Sequence, residues 1–172
     1  MFVSSSSNHS NNNFDVVKIN SSKDFKVKRI IQNGQLQIYQ SPYRGSYPSI
    51  IRDCLRNAAL GRKVLLVQLM KGGVKQGIEN SVKLCGNLTW VRPANSFDQY
   101  NSEEITQNEK LTTSIKNSIN ELWCFCKEQL LSGEYDQIIL DEIFLAVDMN
   151  IIDKDDLIST LENRFIAGDV IL

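Results

Sequence analysis

The chain has 172 residues, 42% of them apolar, with a net charge of −1 and a pI near 5.9. That is enough for one domain with a real core. It carries no electrostatic footprint for nucleic acid or an anionic membrane surface, and no apolar run nears the roughly 18 residues of a membrane span.

Residues 4–13 are serine and asparagine with one histidine, His9. Such a segment buries too little apolar surface to offset chain entropy. Residues 1–22 therefore read as a disordered tail and residues 23–172 as the domain. Met1-Phe2-Val3 runs straight into polar residues, so there is no apolar signal-peptide region, and the expected location is the cytoplasm. His9 is the only histidine, which argues against Ser-His-Asp or Cys-His catalysis and against most histidine-ligated metal sites. The four cysteines, Cys54, Cys85, Cys124 and Cys126, fit neither a C-x-x-C nor a zinc-ribbon spacing. They read as reduced, mostly buried thiols.

Residues 35–40 alternate polar with Leu36 and Ile38 and read as the first strand. The loop Ser41-Pro42-Tyr43-Arg44-Gly45-Ser46-Tyr47 follows. A helix then starts at Pro48, whose missing N–H costs nothing in a first turn, and stops at Gly61. Its apolar stripe is Ile51, Cys54, Leu55 and Ala58. Residues 63–70 are nearly continuous Val and Leu, the mark of a strand buried on both faces. Residues 74–85 read as loop. Residues 88–91 form a short strand stopped by Pro93, and residues 94–100 a polar loop. Asn101 and Glu104 resemble a capping box for a long helix to about residue 131. Its stripe is Leu111, Ile115, Ile119, Leu122, Cys126 and Leu130. Residues 135–140 are the next strand, ending on Asp141-Glu142. A short helix bears Ile143, Leu145 and Val147. Another is capped by Asp153, with Leu157, Ile158 and Leu161 facing in. Residues 169–172 make a fifth strand. Strands alternating with helices imply a doubly wound α/β fold of about five mostly parallel strands.

Three places carry chemistry. The loop 41–47 leads from a strand into a helix N-terminus, where backbone N–H groups can cradle phosphate. Gly45 permits close approach and Arg44 adds charge, but Ser46 and Tyr47 stand where G-x-x-x-x-G-K-[ST] has lysine and hydroxyl. The alternative is an ordinary strand-to-helix turn. Asp141-Glu142 ends a buried strand, where nucleotide-binding folds place their Mg²⁺ partner. A helix start also favours acids there, through its dipole. Lys71, at the end of residues 63–70, would share that sheet edge and reach a phosphate, unless it is simply solvated.

Together these pieces resemble the P-loop ATP:corrinoid adenosyltransferases, whose pattern is T-G-x-G-K-G-K-T-T, then L-R-A-x-G-x-G, then K-V-x-x-V-Q-F-x-K-G. Leu55-Arg56-Asn57-Ala58, Gly61-Arg62-Lys63-Val64 and Gln68-Leu69-Met70-Lys71-Gly72 follow it without a gap. Residues 135–143 are similar to the family's D-x-V-I-L-D-E strand. Met149-Asn150-Ile151-Ile152 with Asp155-Asp156-Leu157 is similar to its next helix, and Arg164 with Asp169-Val170-Ile171-Leu172 to R-P-x-x-x-(H/D)-V-V-L. The resemblance implies a P-loop NTPase-like fold. It also implies transfer of the 5′-deoxyadenosyl group from ATP, with Mg²⁺, to a reduced corrinoid whose cobalt attacks the ribose C5′. It places phosphate on Arg44, Gly45, Ser46, Tyr47 and Lys71, and Mg²⁺ on Asp141 and Glu142. The corrinoid pocket would be built from loops and an N-terminal segment shared between subunits, which allows for a homodimer. The family's segment beyond D-V-V-L is not matched here. In the family's register the loop lysine falls on Ser46 and its threonine on Tyr47. Losing the lysine removes a charge-assisted contact of roughly 1.5–3 kcal/mol. The expected function is thus a degenerate adenosyltransferase with weak or no activity. The alternatives are a non-catalytic interaction protein on the same scaffold, or a site for a small anion.

Overall fold

A computed structural model of the chain describes residues 16–18, 26–28, 33–40, 48–71, 76–94 and 109–172. The chain divides into two compact units, Met1–Gln32 and Asn33–Leu172. In the first, β1 (Val16–Lys18) pairs antiparallel with β2 (Lys26–Lys28), with Val17 opposite Val27. β1 lies within the stretch expected to be a tail, and the rest of residues 1–22 lies outside the described residues.

The second unit is built on a six-stranded sheet. Its strands, from edge to edge, are β3 (Leu36–Gln37), β8 (Asp169–Ile171), β7 (Gln137–Asp141), β4 (Val64–Gln68), β6 (Leu88–Val91) and β5 (Val82–Leu84). All neighbours are parallel except β5, which is antiparallel to β6. The expected α/β class and parallel core are present. The extra strand, β5, falls in a stretch read as loop: it is three residues long and exposed throughout, so its Val82-Lys83-Leu84 alternation is too short to read as a strand.

The apolar run of β4 is explained by two cores. Val64 and Leu66 pack on one face with Cys54 and Ala58 of α1 (Pro48–Ala59) and with Leu88, Ile139 and Ile171. Leu65 and Val67 pack on the other with α2 (Glu109–Ser132), α3 (Ile143–Asp148) and α4 (Lys154–Glu162). All five residues of β4 are buried, as expected for a central parallel strand.

Along α2, Ile115, Ile119, Leu122, Cys126 and Leu130 are all buried, as their spacing requires. The expected capping box at Asn101 and Glu104 lies outside the described residues. Two inward assignments are corrected. Ile51 is exposed, and Ile50 packs on the core instead, because the buried line on α1 runs through residues 50, 54 and 58. Ile158 is 43% exposed, and Thr160 takes the inward place, its hydroxyl donating to the Asp156 carbonyl at 2.7 Å.

The helix ends are chemically explicit. Beyond α1, Gly61 at φ +92° donates its N–H to the Ala58 carbonyl, and Arg62 N–H reaches the Asn57 carbonyl. This 6→1 and 5→2 pair is a Schellman closure. The Asp153 side chain accepts from Asp156 N–H at 2.9 Å, capping α4 as its sequence predicts. At the sheet edge, a Cβ on Gly34 would lie 2.1 Å from the Gly168 carbonyl oxygen, so only glycine lets β3 approach β8 here.

No helix among the described residues is long and apolar enough to cross a membrane. The cysteines are free, with Cys54 and Cys126 buried and Cys85 and Cys124 exposed. The expected burial therefore holds for half of them. Burial pushes the Cys54 thiol up to about 11 and Cys126 higher. Native protein should show two thiols reactive to a small disulfide reagent and four after denaturation.

Trp123, on α2, donates its indole N–H to the Asp156 carboxylate at 2.7 Å, and Lys127 contacts the same oxygen at 3.0 Å. The indole bond, opposed by burial and reinforced by Lys127, holds the Asp156 carboxyl below the usual carboxylate range. A depressed folded pKa means stability present above the unfolded value, near 3.9, and lost as pH falls through the folded one. Asp156→Ala should therefore lower stability at pH 7, and the gap from wild type should shrink as pH drops below about 4. Urea unfolding across that range measures it.

Candidate functional site

From β4 the chain goes to β6 on one side and then, through α2, to β7 on the other. The reversal lies between β4 and β7. In open parallel sheets ligands bind at the carboxyl edge beside such a switch point. Gln68 and Asp141 are register partners on these two strands. They follow Leu66 and Ile139 by two residues, so strand alternation puts both on the α1 face.

These two residues anchor a polar network. Asp141 Oδ2 accepts from Lys71 Nζ at 2.6 Å and from Gln68 Nε2 at 2.9 Å. The Lys71 and Asp141 side chains are only 25% and 14% exposed, so this ion pair is partly shielded from water. Gln68 Oε1 accepts from Trp90 Nε1 at 3.0 Å and from Arg92 Nε at 2.9 Å. The Arg92 guanidinium stacks on the Trp90 ring, 4.5 Å from its centroid. Partial burial lowers its pKa, and the Asp141 charge opposes that shift.

Glu142 follows β7 in the left-handed region, φ 64° and ψ 26°, with its carbonyl accepting from Leu145 and Ala146 N–H. A non-glycine residue held there costs on the order of 1 kcal/mol. The bend turns the chain sharply out of the sheet into α3 at the candidate site.

Of the residues picked out from sequence, Lys71 and Asp141 are in direct contact and Glu142 is next in chain. Arg44, Gly45, Ser46 and Tyr47 lie outside the described residues. α1 begins at Pro48, directly after that loop. Sequence reasoning missed the roles of Gln68, Trp90 and Arg92. The available signal was a lone glutamine in the apolar run Val-Leu-Leu-Val-Gln-Leu-Met, and an arginine placed right after a strand.

Mg²⁺ bound with a nucleotide needs one or two carboxylates, the rest of its shell being phosphate oxygens and water. Asp141 meets that need as a hard oxygen donor at the strand end, with Glu142 beside it in the chain. Its Oδ2 already takes two donors, so a cation would use the other oxygen or displace Lys71. Among the described residues no three His, Cys, Asp or Glu side chains converge as a metal cage.

Residues 32–172 match the family described as ATP:corrinoid adenosyltransferase BtuR/CobO/CobP. The chain is also 24% identical, over 142 residues, to an uncharacterized protein, all2391, of Nostoc sp. (strain PCC 7120 / SAG 25.82 / UTEX 2576), with 76% of this chain and 36% of that protein covered. It thus spans about a third of that relative's length. With the match reaching from residue 32 to residue 172 over a switched parallel sheet, the chain belongs to the ATP:corrinoid adenosyltransferase family.

Proposed function

We propose that this chain is a degenerate corrinoid adenosyltransferase-family domain, binding MgATP weakly or not at all, with weak or no adenosyl transfer. The reading is carried by Ser46 and Tyr47, which stand where the family's loop has lysine and threonine. In reactions on triphosphates in this kind of fold, positioning and electrostatics supply almost all the catalysis. Here the family's loop lysine is replaced by Ser46, and the retained lysine that follows β4 contacts the acid on β7 at 2.6 Å. A phosphate at Lys71 would share its ammonium with Asp141 or displace that contact.

In an active site of this layout, Arg44, Gly45, Ser46 and Tyr47 would surround the phosphates and Lys71 would lie beside the triphosphate. Asp141 and Glu142 would hold Mg²⁺, which offsets charge on the departing triphosphate. Arg44 keeps one positive charge in the loop, two residues ahead of the Ser46 position that serine occupies instead of lysine. A second reading, an interaction protein on the same scaffold, is favoured by Ser46-Tyr47-Pro48, which lack the family's loop lysine, the threonine after it, and a backbone N–H at the proline.

Calorimetry with MgATP, with and without a reduced corrinoid, should give a dissociation constant weaker than about 100 μM, roughly 5.5 kcal/mol. Tighter binding together with adenosyl transfer would overturn the proposal. Ser46→Lys with Tyr47→Thr should tighten MgATP by about 10- to 100-fold, the worth of one charge-assisted phosphate contact. No gain would favour the interaction reading.

Lys71→Met should destabilise the fold by about 1–3 kcal/mol, because a partly buried carboxylate loses its cation. A change in urea unfolding below about 0.5 kcal/mol would instead mean that Asp141 is well solvated and open to a metal ion.

A further inference from the structure

Gln68 is 3% exposed, yet it sits at the polar end of β4 and touches both neighbouring strands. Its three bonds fix the amide without ambiguity. The indole of Trp90 and the guanidinium of Arg92 are donors only, so the atom facing them is the oxygen; the Asp141 carboxylate is an acceptor, so the atom facing it is the nitrogen. A flipped amide would oppose like with like at all three contacts. The side chain therefore has one orientation, and it ties an arginine on the β6 side to an aspartate on β7 across the switch point.

We propose that Gln68 is the positioning residue of this sheet edge. Its carbonyl oxygen holds the Arg92 guanidinium over the Trp90 ring, and its amide nitrogen aims the Asp141 carboxylate. The ammonium of Lys71 shares Asp141 Oδ2 with Gln68. Lys71 is the partner an incoming anion would compete for. Gln68 is uncharged and nearly inaccessible, so it stays in place and keeps Asp141 oriented while Lys71 changes partner. The link between Gln68, Arg92 and Asp141 stands whether or not the chain binds nucleotide; only its use in holding Asp141 for a nucleotide-bound metal ion rests on the function proposed above.

The two tryptophans, Trp90 and Trp123, supply a readout independent of any ligand. Each indole N–H donates to a different partner, Trp90 to Gln68 and Trp123 to Asp156, so a two-dimensional ¹H–¹⁵N spectrum gives two indole signals. Trp90→Phe assigns them. Asp141→Asn should move the Trp90 signal in the wild-type background and leave the Trp123 signal in place, which also certifies the fold. In a Gln68→Met background the same Asp141→Asn change should no longer move the Trp90 signal. A shift of equal size in both backgrounds would overturn the proposal, because the coupling would then bypass Gln68.

Gln68→Glu guards against a Gln68→Met variant that fails to fold. The substituted carboxylate keeps an acceptor for Trp90 and Arg92 but turns the bond to Asp141 into a repulsion, so the Trp90 signal should shift or broaden. Adding Asp141→Asn supplies an amide donor to that carboxylate and should return the signal to near its wild-type position. Failure of that rescue, with Trp123 unchanged, would also overturn the proposal. Titrating MgATP into the wild type and into Gln68→Met, its fold checked by the Trp123 signal, then separates the two claims. Absence of nucleotide binding in the wild type leaves the spectroscopic coupling intact as its own result. Binding in the wild type that Gln68→Met weakens by more than about threefold supports the role in aiming Asp141, and binding retained within about threefold overturns that role alone.

Discussion

β4 is buried along its whole length, so the first polar side chain on it must find every partner inside the protein. That constraint shapes the carboxyl edge of the sheet. Gln68 is nearly inaccessible, and a buried amide without partners costs several kcal/mol on the most severe transfer scales and about 1–3 in proteins. Trp90, Arg92 and Asp141 meet three of its hydrogen-bonding needs. Once Asp141 is drawn in beside Gln68, its own charge needs a cation in a poorly solvated place, and Lys71 provides it at 2.6 Å. The network follows from the burial of one strand.

The opposite edge of the sheet holds the strands in the register that this network requires. Lys63 N–H donates to the Asp136 carboxylate, and the Arg62 guanidinium bridges the Asp136 carbonyl and Asp169 Oδ2. Asp169 Oδ1 in turn accepts Gln35 N–H, so one carboxylate joins the starts of β3 and β8 to the residues preceding β4. A one-residue slip would carry Gln68 away from Asp141 and to the other face of the sheet. The Schellman closure at Gly61 matters for the same reason: it delivers Arg62 and Lys63 to that lower edge immediately after α1.

What could be read from the sequence were the features with a strong periodic or compositional signal. The continuous apolar run announced β4, the 3.6-residue stripe announced α2, and Asp153 announced the start of α4, because each reports a local physical requirement. β5 was not legible, since an exposed three-residue edge strand needs no pattern of its own. Ile51 and Ile158 were misassigned because an apolar residue next to a buried line looks the same in sequence as one on it. At the site, Asp141 and Lys71 stood out as charges at strand ends, but their mutual contact depends on β7 lying beside β4. The strand order settles that, and chain order does not reveal it. Gln68 and Arg92 were hidden for the same reason: Asp141 and Arg92 are 73 and 24 residues from Gln68 in the chain.

The Lys71–Asp141 pair answers an electrostatic requirement of its own. A carboxylate 14% exposed at a switch point needs positive charge nearby whatever the chain does. Lys71 supplies that charge from the chain just after β4, so the pair is balanced by the protein itself. Under the function proposed above, a polyphosphate drawing on Lys71 would leave Asp141 facing like charge unless a divalent cation came with it, so binding at this edge would be coupled to the cation. The bond from Gln68 to Asp141 does not involve Lys71, so that carboxylate has a second, uncharged partner whichever group the ammonium meets.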